Sequence, residues 1–220
     1  MYKAFLFDID GTLLNTEETI LKSLRRAIEE ETGEVIEDRN LVHALDAPAD
    51  KALIQLGIQD QEAIQEKWSA YASENRGLIH VFPGVIEVLE GLKQQGYHVG
   101  IVTSKTKQEF EDKAAPFELQ TYVDDIVYAE ETTNHKPSGD PILAYLDKAN
   151  LEAAEAVYIG DTLQDEKSAR AAGTDFGLAA WSATPHEDAQ PDHTFKEPSD
   201  ILQYIHDNKK NEQHFQSLKK

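Results

Sequence analysis

Residues 5–16 read FLFDIDGTLLNT. From Tyr2 to Phe7 the chain is rich in strand-forming residues and apolar on both faces, which suits a central strand of a parallel sheet. The apolar run stops at Asp8, and a second acid, Asp10, follows one residue later. Side chains of an extended chain alternate in direction, so the two carboxylates share a side. Like charges that close force one pKa upward unless something positive intervenes. A divalent cation resolves the conflict, and Mg²⁺ prefers such hard oxygen donors while keeping room for water. Gly11 lets the chain leave the strand sharply while its backbone approaches a ligand.

Downstream of this stretch the texture changes twice. Residues 16–33, TEETILKSLRRAIEEETG, place Ile20, Leu21, Leu24, Ala27 and Ile28 at helical spacing. Thr16 is the expected cap, Glu17 and Glu18 sit in the favourable first turn, and Gly33 is the stop. Further helices are expected over about 39–45, 49–56 and 61–75, with Pro48 and Gly57 as breakers. Together they form a helical unit over 16–80 with its own small core. From Phe82 helices and strands alternate: helix 83–96, strand 97–104, a short strand within 124–131, helix 141–150 and strand 156–161. Helix 165–173, strand 175–181, a weak edge strand 193–195 and helix 198–208 follow. Such alternation implies βαβ crossovers and a largely parallel sheet. The expected organisation is an α/β core from 1–15 and 81–207, a helical insert at 16–80 and a polar, frayed tail at 208–220.

Ligands of open α/β sheets bind beyond the carboxyl ends of the strands. Three expected strands end in groups suited to a phosphate: Asp8 and Asp10, then Thr103 and Ser104, then Asp161 with Asp165 four residues on. Lys136 lies between the last two and adds a point charge for the same phosphate. Asp8 and Asp161 with one carbonyl would leave a cation room for water and a phosphate oxygen. Thr103 offers a hydroxyl toward the site, whereas Ser104 next to it should point away. Lys105 is expected to be solvated, and Trp68 and Tyr71 to belong to a helical core. The eight His residues show no paired ligand spacing.

The chain has 220 residues, enough for a sizeable core, and no Cys, so disulfides and thiolate chemistry are excluded. Lys and Arg number 21 against 41 Asp and Glu, a net charge of −20. Such a surface repels nucleic acid and anionic membranes. No apolar run approaches the roughly 18 residues of a membrane span. The expectation is a cytoplasmic protein, a monomer or weak dimer, acting on a small molecule.

DIDGTLLNT, IVTSK, HKP and GDTLQD, in this order, resemble the four motifs of the haloacid dehalogenase-like hydrolase superfamily. Within it the chain is most similar to phosphoglycolate phosphatase-like enzymes and their pyrophosphatase relatives. The resemblance implies a Rossmann-like parallel sheet core with an inserted α-helical cap. It further implies a Mg²⁺-dependent phosphatase for a small phosphorylated metabolite. Asp8 would be the nucleophile that becomes an aspartyl phosphate, and Asp10 the acid and base. Thr103 and Lys136 would hold the phosphoryl group, and Asp8, the Asp10 carbonyl and Asp161 the metal. Asp165 would position a metal-bound water or orient Lys136.

A sugar phosphomutase of the beta-phosphoglucomutase type is the alternative on the same scaffold. A dehalogenase lacks a carboxylate at the position of Asp10, and a non-catalytic binding module has no need of the full set of groups. Cap residues of the phosphoglycolate phosphatase group do not transfer here: the stretch 41–57 has Leu45 and Asp46 where Gly is expected. The phosphate ester is therefore left open.

Overall fold

The computed structural model describes residues 2–45, 49–58, 61–184 and 187–218. Asp46 and Pro48, singled out above, lie outside the described residues, as do the last two lysines. The core is a six-stranded sheet built from β1 (Ala4–Phe7), β4 (His98–Val102), β5 (Asp125–Val127), β6 (Ala156–Gly160), β7 (Asp175–Ala179) and β8 (His193–Phe195). Its order is β5-β4-β1-β6-β7-β8, and every pairing is parallel. β1 thus lies in the middle, with Phe7 level with Ile101 of β4 on one side and Ile159 of β6 on the other. The carboxyl ends of β4, β1 and β6 are neighbours although far apart in sequence.

The continuous apolar run of β1 is explained by its two faces. Phe5, Phe7 and Ile9 pack with Val88, Leu89 and Leu92 of α5 (Val85–Gln94) and with Ile201 and Ile205 of α9 (Ser199–Leu218). Ala4 and Leu6 face the other way, toward Ile142, Tyr145 and Leu146 of α7 (Asp140–Ala149) and Ala169 of α8 (Leu163–Ala172). Each fully buried large apolar side chain contributes about 1.5–3 kcal/mol relative to exposure. The last helix passes the expected end at Asn208 and continues to Leu218.

The helical unit comprises α1 (Glu17–Thr32), α2 (Asp38–Leu41), α3 (Ala49–Gln55) and α4 (Glu62–Glu74). Leu24, Ala27, Ile28, Leu41, Leu53 and Ile64 form a separate apolar cluster there. Gly33 ends α1 in the left-handed conformation, its N–H on the Glu29 carbonyl at 2.9 Å. The start of α1 differs from expectation. Thr16 makes no side-chain cap bond, and Asn15 Oδ1 accepts the Glu17 N–H at 3.2 Å.

Three short elements escape the sequence pattern. β2 (Leu14–Asn15) pairs antiparallel with β3 (His80–Val81), joining the entry and exit of the helical unit. Two residues are too short to show an alternation. Between β4 and β5 lies α6 (Lys107–Lys113), started by a reciprocal cap between Thr106 and Glu109. Among the described residues no helix is long and apolar enough to cross a membrane.

Candidate active site

Asp8 follows β1 directly, and its N–H donates to the Ile159 carbonyl at 2.9 Å, so the sheet ladder fixes its position. Asp161 follows β6 in the same way. Carboxylate oxygens of Asp8, Asp161 and Asp165 lie within 4.8 Å of one another, and all three residues are buried. Lys136 reaches this group from the loop between β5 and α7, after which the Lys136–Pro137 peptide bond is cis. Its Nζ donates to Asp8 Oδ1 at 2.8 Å, Asp165 Oδ1 at 2.8 Å and the Tyr158 hydroxyl at 2.7 Å.

Asp165 has two tasks. It is the third residue of α8, where Thr162 is the cap, and its Oδ2 accepts the Thr162 N–H at 3.1 Å and hydroxyl at 2.6 Å. Its other oxygen faces Lys136. Asp165 thus closes the first turn of α8 and orients Lys136 at once.

Gly11 is required by a close approach. It sits at φ +72°, and a Cβ there would stand 2.0 Å from Asp161 Oδ2. Gly160 leaves space in the same manner, a Cβ falling 2.5 Å from Asp165 Cβ. Glycine at these positions lets the acids after β1 and β6 close on one another.

The electrostatics follow from burial. Burial pushes the Asp8 carboxyl up to about 7, with Lys136 opposing and Asp165 and Asp10 adding to the rise. Asp161 is also held well above the usual carboxylate range by burial and by Asp165. Burial alone would lower the Lys136 pKa, but Asp165 and Asp8 outweigh it and raise it. The donor set fits a hard divalent cation: clustered buried carboxylates with too little positive charge among them.

Asp10 stands outside that cluster. Its Oδ2 is 2.5 Å from Lys105 Nζ, and the Lys105 side chain is only 13% exposed. The expected solvated lysine is instead an ion-pair partner of a site acid, because its apolar stem and its charge are both accommodated under the cavity. The two strand-end hydroxyls differ in exposure. Thr103 is buried, and its Oγ1 accepts the Lys105 N–H at 3.2 Å. Ser104 is exposed and lines the cavity.

That cavity has a volume of about 870 Å³. Asp8, Asp10, Ser104, Lys105, Lys136 and Asp165 line it from the sheet side, and Ile20, Leu45, Gln65, Trp68 and Ala72 from the helical unit. Tyr71 is buried in the helical core as expected; Trp68 packs against the same core and also lines the cavity, its Nε1 donating to the Ile20 carbonyl at 3.2 Å.

The model of the family described as haloacid dehalogenase-like hydrolase matches residues 5–179. The chain belongs to this hydrolase family. It is 30% identical to "Putative pyrophosphatase PpaX" of Caldanaerobacter subterraneus subsp. tengcongensis over 206 residues, 92% of this chain and 94% of the relative. It is 29% identical to a protein of the same name from Clostridium perfringens, over 93% of this chain and 98% of the relative. Among solved structures, a "putative phosphoglycolate phosphatase" from Lactobacillus plantarum is similar with a TM-score of 0.82 and 30% identity. That match covers 92% of this chain and 99% of the other.

For a haloacid dehalogenase-like hydrolase, the site also contains groups that sequence reasoning passed over. Tyr158 lies in the middle of β6, and its hydroxyl bridges Lys136 to the Val102 carbonyl, to which it donates at 2.9 Å. A tyrosine within an otherwise aliphatic buried strand is a usable signal, since its hydroxyl needs a partner. Thr12, Ser182 and Thr184 surround Asp161, with hydroxyl oxygens at 3.3, 2.8 and 2.6 Å from its carboxylate. Ser and Thr in a loop after a strand give no such signal.

Proposed function

We propose that this hydrolase is a Mg²⁺-dependent phosphatase for a small phosphorylated metabolite, with Asp8 as the nucleophile. The observation that carries the reading is the Asp8–Lys136 pair, 2.8 Å apart at the floor of the cavity, with Asp161 and Asp165 beside it. A carboxylate oxygen of Asp8 would form a bond to phosphorus as the ester oxygen leaves, and Asp10 would supply that oxygen with a proton. Water would then bond to phosphorus while Asp10 takes its proton. The bond from Asp8 to phosphorus breaks, releasing inorganic phosphate and restoring both side chains.

Lys136 would hold the phosphoryl oxygens, and Asp165 and Tyr158 would hold Lys136. Asp8, Asp161 and the Asp10 carbonyl would bind Mg²⁺, with Asp165 next to them. When bound, the ion supplies positive charge that offsets the carboxylates and the phosphoryl oxygens. The helical unit at 16–80 would act as a cap that excludes water and selects the leaving group. Thr103 would help hold the phosphoryl group with its hydroxyl hydrogen, its Oγ1 being fixed by the Lys105 amide, and Ser104 would face the phosphate from the same loop.

The names of the relatives make inorganic pyrophosphate and phosphoglycolate the first compounds to assay. The test is a panel of these with sugar phosphates, nucleotides and an aryl phosphate, with and without Mg²⁺, scored for free phosphate and for isomerised product. Metal-dependent phosphate release supports the reading. Isomerisation of a sugar phosphate with little phosphate released would replace it by a mutase, and no turnover of any compound would count against both.

A further inference from the structure

The loop 181–184 after β7 connects two carboxylates that belong to different parts of the molecule. Asp161 belongs to the carboxylate cluster. Glu17 is the first residue of α1, separated from the end of β2 by Thr16 alone, where the chain enters the helical unit. Ser182 Oγ is 2.8 Å from Asp161 Oδ2 and 2.9 Å from Glu17 Oε1. The Ala183 N–H donates to the same Glu17 oxygen at 2.6 Å, and the Thr184 hydroxyl donates to Asp161 Oδ2 at 2.6 Å. The Thr184 N–H donates to Ser182 Oγ at 3.1 Å.

A proton count makes this arrangement informative. A serine hydroxyl has one hydrogen to donate. Thr184 serves Asp161, and Ser182 Oγ already accepts from the Thr184 amide. The Thr184 oxygen, 2.9 Å from Ser182 Oγ, is a third acceptor within reach, but of the groups facing the one hydrogen of Ser182 only the two carboxylates are charged, and they compete for it. Where a buried carboxylate has no cation beside it, hydroxyl donors are what compensates it, and a donor taken away leaves a costly vacancy. A cation at Asp161 removes that need, and the hydrogen is then worth more on Glu17.

We infer that Ser182 couples cation binding at Asp161 to the seating of the first turn of α1, by passing one hydroxyl hydrogen from Asp161 to Glu17. The inference rests on the metal reading given above. Ser182, Thr184 and Glu17 are positioning residues: they act through Asp161 and through α1. Coupling of this kind is reciprocal, so whatever seats α1 on the loop also raises the affinity of Asp161 for the cation. The helical unit bounds the substrate cavity, so the same hydrogen links metal occupancy to the wall that faces the leaving group.

The experiment uses the full chain, Mn²⁺ binding followed by electron paramagnetic resonance, and amide hydrogen exchange with and without Mg²⁺. In the unsubstituted protein Mg²⁺ should slow exchange of the Ala183 and Ile20 amides. In Ser182→Ala the cation should bind roughly fivefold more tightly, because the hydroxyl that compensates the cation-free Asp161 is gone, and the Mg²⁺-dependent slowing at Ile20 should disappear. Glu17→Ala should lose the same response, whereas Glu17→Gln, which keeps an acceptor oxygen, should retain most of it. A merely structural loop would change the unfolding temperature in these variants but leave the Mg²⁺ response at α1 intact, and that result would overturn the inference. An unsubstituted protein that binds Mn²⁺ without any change at Ile20 or Ala183 would overturn it as well. Failure of the unsubstituted protein to bind Mn²⁺ would remove the metal reading, and the coupling with it. Should Ser182→Ala not fold, Glu17→Ala decides the matter.

Discussion

Lys105 Nζ lies 2.5 Å from Asp10 Oδ2, beneath the cavity that Asp8 also lines. The lysine holds the carboxylate that the proposed mechanism uses to move protons. Lys105→Met keeps the apolar stem and removes the charge. It should lower kcat by about a hundredfold, the lower end of general acid–base contributions, with a smaller change in KM. Steady-state kinetics on the best substrate of the panel checks this, and an unchanged kcat would remove Lys105 from the account.

Gly11→Ala should be among the most damaging small substitutions. The position combines φ +72° with a Cβ site 2.0 Å from Asp161 Oδ2. The backbone alone costs about 1–3 kcal/mol, and Asp161 must also move. Thermal unfolding and Mn²⁺ titration should show a lower midpoint and weakened cation binding together. A variant that loses stability but binds the cation normally would contradict the placement of Asp161.

Tyr158→Phe keeps the ring in the core and removes one hydroxyl that contacts Lys136, Val102 and Asp165. The Val102 carbonyl and the lysine each lose a partner, for a cost of about 1–3 kcal/mol. Denaturant unfolding measures it. Turnover should fall as well, because Lys136 is held on one side only by acids.

Burial raises the Asp8 carboxyl from its ordinary 3.8 to about 7, so the folded chain binds this proton more tightly than the unfolded chain. The sign follows: between those values the metal-free protein loses stability as pH rises, since ionisation is easier once unfolded. A divalent cation requires the ionised form, so the rise in unfolding temperature on adding Mg²⁺ should grow from pH 6 to pH 8. Thermal unfolding at several pH values, with and without Mg²⁺, tests both trends. A Mg²⁺ effect that shrinks with pH would contradict them.

The alternating pattern after Phe82 and the apolar run before Asp8 were enough to read a parallel sheet with β1 inside it. They were also enough to bring Asp8, Lys136, Asp161 and Asp165 to one end of it. These features are local: a strand-end acid, a helix stop, a helix-start acid. What stayed hidden depends on contacts across the chain. β2 and β3 are too short to have a period, and the pairing of Lys105 with Asp10 needs the position of both strand ends. The hydroxyls of Ser182 and Thr184 read as ordinary loop residues until β7 is placed next to β6. Thr16 keeps the N-cap position of α1, but the side-chain bond to the first turn comes from Asn15, and Thr16 lines the cavity.

The central claim is that Asp8 is the nucleophile. The most direct measurement is acid quenching of the enzyme during turnover, digestion, and mass analysis of the peptide that contains Asp8. A phosphoryl group should be found on Asp8, be lost on treatment with hydroxylamine and be absent from Asp8→Asn. Turnover by the unsubstituted enzyme with no phosphorylated peptide at any quench time, together with substantial activity of Asp8→Asn, would contradict it.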